Sequence, residues 1–173
     1  MGSGAFGVYA KPTIRIVSAR FPEDGGPVRE LFAEYASSLG VDLSFQDFDA
    51  ELSDLPGNYA PPRGGILVAR DCHGAALGCV ALRPTATPGT AEIKRLYLRP
   101  AARGQALGRR LAEAIIERAR DTGYVRLVLD TLATMDAARK LYVKLGFHPV
   151  PPYYDNPLPG TLYMALDLRP GSI

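Results

Sequence analysis

Residues Glu92 to Thr122 decide how the chain folds. They read Glu92-Ile93-Lys94-Arg95-Leu96-Tyr97-Leu98, then Arg99-Pro100-Ala101-Ala102, then Arg103-Gly104-Gln105-Ala106-Leu107-Gly108, and then a run without proline. The first part is a strand by composition, with Ile93, Leu96, Tyr97 and Leu98 favouring extended backbone and Pro100 closing it. After Gly108 the apolar period changes. Leu107, Leu111 and Ile115 recur at i, i+4 and i+8, with Ala112 and Ile116 beside them, while Arg109, Arg110, Glu113, Glu117 and Arg120 take the other face. Gly123 stands where a left-handed residue would end that helix. A strand that feeds a glycine-bearing loop at a helix N-terminus is an anion site in outline: unpaired N–H groups and the positive end of the dipole converge on one spot.

The glycines alone do not name the anion. The loop lacks both the Gly-x-Gly-x-x-Gly spacing of dinucleotide folds and the Lys-Ser/Thr of a P-loop. It resembles the acyl-CoA loop of the GCN5-related N-acetyltransferases, Arg/Gln-x-x-Gly-x-Gly/Ala, standing here as Arg103-x-x-Ala106-x-Gly108. A second segment, Ala138-x-x-Leu141-Tyr142-x-x-x-Gly146-Phe147, is similar to the same family's helix, turn and strand. The two lie in order, with a strand from Val125 to Leu129 between them. The resemblance covers roughly residues 13 to 168. It implies an α/β fold, in which a mixed, mainly antiparallel, twisted sheet carries helices on both faces.

The chain has 173 residues, enough for one domain with a substantial core and short for two. We expect a single N-acetyltransferase domain over 13–168, flanked by tails at 1–12 and 169–173. Twenty Lys and Arg against 18 Asp and Glu give a net charge of +2, with no basic block and no aromatic platform, so nucleic acid is not an expected partner. Cys72 and Cys79 match no common zinc or redox spacing, and no metal is expected. The longest apolar runs are strand-sized, so no membrane span is expected and a reducing cytoplasm is the expected compartment.

Along the rest of the chain, Thr13 to Val17 alternates as a first strand. Val28, Leu31, Phe32, Tyr35 and Leu39 form one helical stripe that Gly40 ends. Ser44-x-x-Asp47 reads as a capping box for a shorter helix with Phe45, Phe48, Leu52 and Leu55, broken at Pro56-Gly57. Gly65 to Arg70 and Ala75 to Leu82 are strands joined by the turn Asp71-Cys72-His73-Gly74. Thr134 is the expected cap of the helix carrying Ala138, Leu141, Tyr142 and Leu145, and Thr161 to Leu168 is a final strand.

The resemblance also implies roles. Arg103, Gly104, Gln105, Ala106, Leu107, Gly108 and Arg109 would cradle the pyrophosphate of acetyl-CoA, mainly through backbone N–H groups. Ala106 stands where glycine is usual; its methyl disfavours positive φ and leaves helical φ/ψ open, and weaker or slightly shifted CoA binding is expected. Leu96, Tyr97 and Leu98 would offer backbone to the pantetheine arm. Met135, in place of the family's usual asparagine, and Ala138 would border the cofactor. Tyr142 would donate a proton to the departing thiolate. Glu92 would act as general base: an alkylamine of pKa ~10.4 is only roughly one part in a thousand neutral at pH 7, so assisted deprotonation has something to contribute. His148 is a weaker candidate for that task. Tyr59, Tyr153, Tyr154 and Asn156 are the expected acceptor contacts, the last three from the proline-rich loop Pro149 to Pro159, which could equally meet a second copy of the chain. The expected activity is direct transfer of acetyl from acetyl-CoA to a small-molecule or peptide amine. The alternative is a catalytically silent acyl-CoA-binding or partner-binding module on the same fold.

Overall fold

The computed structural model describes residues 13–169; the expected N-terminal tail and the end of the C-terminal one lie outside them. Strands β1 (Arg15–Ser18), β2 (Gly65–Arg70), β3 (Ala76–Pro84) and β4 (Thr90–Leu98) form an antiparallel meander. Helices α1 (Gly25–Leu39) and α2 (Phe48–Ser53) intervene between β1 and β2. Helix α3 (Leu107–Thr122) crosses over to β5 (Arg126–Leu132), which lies parallel to β4. Helix α4 (Asp136–Lys144) leads to β6 (His148–Val150) and β7 (Thr161–Asp167), and the sheet order is β1-β2-β3-β4-β5-β7-β6. The β4–β5 pair is the only parallel one among the described residues, so the expected mixed, mainly antiparallel α/β sheet is the observed one.

Alternating strand side chains build a core on each face. On one side Leu107, Leu111, Ile115 and Ala119 of α3 meet Leu82, Ile93, Leu127 and Leu129. On the other, Val28, Leu31 and Phe32 of α1 pack with Phe48, Tyr59, Val68 and Cys79. Gly40 (φ 63°) and Gly123 (φ 95°) end α1 and α3 in left-handed caps as the sequence suggests.

The feature that matters for function is an irregularity in β4. Cys79 pairs with Tyr97 but Ala81 pairs with Lys94, so Val80 alone faces Arg95 and Leu96. The extra residue is a β-bulge, and Arg95 takes φ 60° to accommodate it. Ala91 and Ile93 before it, and Leu96 and Leu98 after it, all pack on the α3 side, which leaves consecutive Lys94 and Arg95 on the α1–α2 side. Opposite Leu98, Gly78 permits the close approach: a Cβ there would sit 2.6 Å from the Tyr97 carbonyl oxygen. Bulges bend a strand and increase its twist, and β4 leaves β5 at this point. The two pair only at Thr90↔Arg126, Ala91↔Leu127 and Glu92↔Val128, then splay apart.

Two helix starts differ from the sequence expectation. The Ser44 hydroxyl donates to Asp42, and the N-cap of α2 is Asp47 in left-handed backbone with no side-chain cap. The N-cap of α4 is Met135, not Thr134, again without a side-chain cap. At α2 the Ser44 hydroxyl is spent on Asp42, and before α4 the Met135 N–H closes a turn onto the Leu132 carbonyl. Among the described residues no helix is long and apolar enough to cross a membrane.

Candidate active site

The splay makes a groove that runs from the N-terminus of α3, past β4, to α4. It is a hollow of about 560 Å³, walled by Leu96, Tyr97, Leu98, Arg103, Gly104 and Gly108 on one side and by Met135, Ala138 and Leu141 on the other. At its outer end the backbone turns through Pro100–Ala102, with Gly104 at φ 81° and Ala106 at φ 55°, ψ 17°, before α3 starts. No hydrogen bond among the described residues uses the N–H groups of Gly104 through Arg109; the first to be used is that of Arg110, which donates to the Ala106 carbonyl. A run of unused donors at a helix N-terminus, with no carboxylate in the loop, fits a pyrophosphate.

Within this loop the side chains divide. Arg103 borders the groove and donates to the Leu98 carbonyl. Arg109 instead turns outward to Glu113 at 2.7 Å, Gln105 is exposed, and Leu107 is buried in the core, so these three offer only backbone. Ala106 corrects an expectation. It is not helical; it takes the left-handed conformation that glycine adopts without penalty, because the loop must reverse there to start α3.

Inward, the groove meets a second cavity of about 40 Å³, and Tyr35, Leu96 and Met135 border both. Polar groups line this inner end: Gln46, Lys94, Arg95, Asp130, Thr131, Tyr142 and Asn156. Arg95 is 3 % exposed and makes a two-pronged contact with Glu51 (3.0 and 3.1 Å), while its Nη1 donates to Gln46 at 2.9 Å and its guanidinium stacks over Phe48 and Tyr35. That fork ties α2 and its preceding turn to the bulge and fixes one wall of the cavity. Lys94 donates to Gln46 at 3.2 Å and lies 3.6 Å from Asp130 Oδ1. Burial pulls the Lys94 ammonium below its ordinary pKa, with Asp130 and Glu92 opposing that shift. Asp130 Oδ2 accepts from the Tyr154 hydroxyl, and Asn156 donates to that same hydroxyl at 2.9 Å.

Tyr142 projects from α4 with its ring edge-on to Phe147, centroids 5.5 Å apart. Its hydroxyl has no hydrogen-bond partner within the described residues, and no fully enclosed side-chain polar atom among them lacks one. The hydroxyl therefore opens to the cavity it lines. Burial first, then the nearby Tyr35 and Asp130, push the Tyr142 phenol well above its ordinary pKa, so it stays a proton donor at neutral pH.

Glu92 does not line this cavity. It is 3 % exposed, with Oε1 held by Arg83 at 2.8 Å and Oε2 receiving the Tyr153 hydroxyl at 2.6 Å. Burial and Glu92 both raise the Tyr153 pKa, so the phenol stays protonated and bonded to the carboxylate. Tyr59, expected at the rim, is in the core: 2 % exposed, edge-on to Phe32, with its hydroxyl donating to Glu51 at 2.7 Å. Asn156 lines the inner cavity, whereas Tyr153 and Tyr154 do not line it and meet Glu92 and Asp130 through their hydroxyls. His148 is exposed on β6. Sequence reading missed Gln46, Lys94, Arg95 and Asp130 as cavity residues. Two signals were available: adjacent cations inside a strand otherwise buried, and a lone carboxylate after the apolar run Leu127-Val128-Leu129.

Residues 27–147 match the acetyltransferase (GNAT) family as a domain. An uncharacterized N-acetyltransferase of Schizosaccharomyces pombe is 46 % identical over 159 residues, spanning 91 % of this chain and 98 % of that one. The N-acetylaspartate synthetase of Danio rerio is 32 % identical over 137 residues, 78 % of this chain and 49 % of that protein. A Salmonella typhimurium protein solved with acetyl-CoA as its cofactor superimposes with a TM-score of 0.64 at 22 % identity, covering 92 % of this chain and 96 % of that one. A bulged central strand, a splayed parallel pair and a donor-rich loop at α3 thus coincide with the span of that domain, and the chain belongs to the GNAT family of acetyltransferases.

Proposed function

We propose that the protein transfers acetyl directly from acetyl-CoA to an amine in a ternary complex. The observation that supports this most is the unbroken run of free N–H groups from Gly104 to Arg109 leading, along one groove, to the unpartnered hydroxyl of Tyr142. Acetyl-CoA, when bound, supplies an activated acetyl thioester. The loop N–H groups and the α3 dipole hold its pyrophosphate, and Arg103 adds charge beside them. Among the described residues the β5-facing edge of Ile93–Leu98 has no strand partner, and it takes the pantetheine arm as an added strand would be taken. A backbone N–H near Leu96 polarises the acetyl carbonyl.

Tyr142 donates its hydroxyl proton to the departing sulfur and is re-protonated from solvent. On the acceptor side two carboxylates are at hand. Asp130 Oδ1, open to the cavity, receives the amine's proton. Glu92, engaged by Arg83 and Tyr153, acts as a positioning residue that holds Tyr153 and the proline-rich loop over the site. The Danio rerio relative is named for an N-acetylated amino acid, which puts amino acids on the acceptor panel. The catalytically silent alternative predicts CoA binding without thiol release on any amine.

Gly108→Glu tests the loop. Gly108 is helical, and a Cβ there meets only Leu98 at 3.5 Å, so the fold should survive while charge and bulk enter the groove. Calorimetry should show CoA affinity lost with the thermal midpoint retained. Unchanged CoA affinity would take the loop out of the site.

A further inference from the structure

The inner cavity contains an ion pair that no hydrogen bond closes. Lys94 and Asp130 face each other across 3.6 Å, beyond hydrogen-bond distance, with side chains only 4 % and 13 % exposed. Of the three Lys94 N–H donors, one is used, by Gln46. Among the described residues Asp130 Oδ1 receives no hydrogen bond, whereas Oδ2 is committed to Tyr154. An ammonium and a carboxylate buried this deeply are stabilising only when their remaining donors and lone pairs are filled. Here the unfilled valences, positive on one side and negative on the other, open onto the same small hollow. That hollow also reaches Tyr142, where the acetyl would arrive.

We propose that this pair recognises a zwitterionic acceptor, an α-amino acid whose ammonium sits on Asp130 Oδ1 and whose carboxylate sits on Lys94 Nζ. The inference rests on the transferase reading above and names its substrate class. Size agrees: about 40 Å³ has room for roughly three waters, the bulk of an amino and a carboxylate group and not of a folded chain. Charge balance agrees as well. Arg95 is already neutralised by Glu51 at 3.0 Å, whereas Lys94 stands 3.6 Å from Asp130, so Lys94 is the lining cation without a hydrogen-bonded carboxylate. A plain alkylamine would fill Asp130 and leave Lys94 unmet; a simple carboxylate would do the reverse. A zwitterion completes both. It also loads the reaction correctly. The ammonium gives one proton to Asp130 Oδ1, and the freed nitrogen lone pair forms the amide bond as the carbon–sulfur bond breaks. The sulfur takes the Tyr142 proton, and the nitrogen's second proton leaves to solvent.

The test pairs the proteinogenic L-amino acids with their carboxamides, which keep the α-amine and side chain but remove the negative charge. Thiol release from acetyl-CoA is followed for each. For the amino acids turned over, the wild-type protein should favour the acid over its amide by about 10- to 100-fold in kcat/KM, carried mainly by KM, because a charge-assisted contact to Lys94 is lost in the amide. In Lys94→Met that ratio should collapse toward one. CoA calorimetry and circular dichroism check that the variant is folded, and the wild-type comparison stands without it. Amides or carboxylate-free amines turned over as well as acids would overturn the inference while leaving the transferase reading intact. So would silence of both panels in a protein that binds CoA and acetylates some other amine. If CoA is not bound, or no amine of any class releases thiol, the transferase reading itself fails.

Discussion

Replacing Tyr142 by Phe separates chemistry from packing, because the surroundings of the side chain let both costs be worked out in advance. The ring stacks edge-on against Phe147 at 5.5 Å, and that contact survives in Phe. The hydroxyl has no partner, so removing it breaks no hydrogen bond. Desolvating a hydroxyl without a full partner costs about 1 kcal/mol or more, so the variant should be as stable as the parent or gain up to about 1 kcal/mol. At roughly 2–4 °C per kcal/mol for a domain of this size, the thermal midpoint should hold or rise slightly. The rate should move the other way. Loss of a positioned proton donor lowers kcat by roughly 10- to 10³-fold, or about 1.4 to 4 kcal/mol of transition-state stabilisation. Since burial keeps the phenol protonated, the deficit should be constant from about pH 6 to 9. The assay is thiol release at saturating acetyl-CoA and acceptor, with a single-turnover measurement to establish that chemistry limits the rate. A Phe variant with parental kcat under chemistry-limited conditions would refute the general-acid assignment.

Two other predictions come from the same geometry. Ala106→Gly relieves a left-handed alanine, about 1–2 kcal/mol, against about 0.5–1 kcal/mol of added chain entropy, so it should raise stability by about 0.5–1 kcal/mol and leave CoA affinity equal or tighter; a lower thermal midpoint would contradict this. Glu51→Ala strips the carboxylate from Arg95, whose side chain is 1 % exposed, and also takes the acceptor from the Tyr59 hydroxyl. It should cost about 3–5 kcal/mol in urea unfolding, with Glu51→Gln costing less; near-parental stability of the Ala variant would mean the fork does not anchor α2.

The expected base, Glu92, and the observed cavity carboxylate, Asp130, mark the boundary of what local pattern conveys. Both sit on strands whose alternation is legible, yet which one meets the cavity depends on Arg83 and Tyr153, residues 9 and 61 positions away from Glu92. Tyr59 makes the same point: beside prolines it reads as a rim residue, but Glu51 and Phe32 close over it.

The sequence by itself determined the elements and the order of the site's parts. The period of α3 and the glycines that end α1 and α3 follow from rules that act over a few residues, whereas the loop from Arg103 to Gly108 and Tyr142 were legible as site residues only through their likeness to a known family's motifs. Tertiary structure alone decided that β4 carries a bulge at Arg95. That bulge turns two adjacent cations to one face and parts β4 from β5 after Glu92. No local rule places an extra residue there. Its position reflects how β4 registers against β3 across Gly78, and how Glu51 and Gln46, from a different part of the chain, satisfy a buried guanidinium. Which polar groups finish unpaired, and so remain free to bind a substrate, is settled only when every other donor and acceptor has found its partner in space.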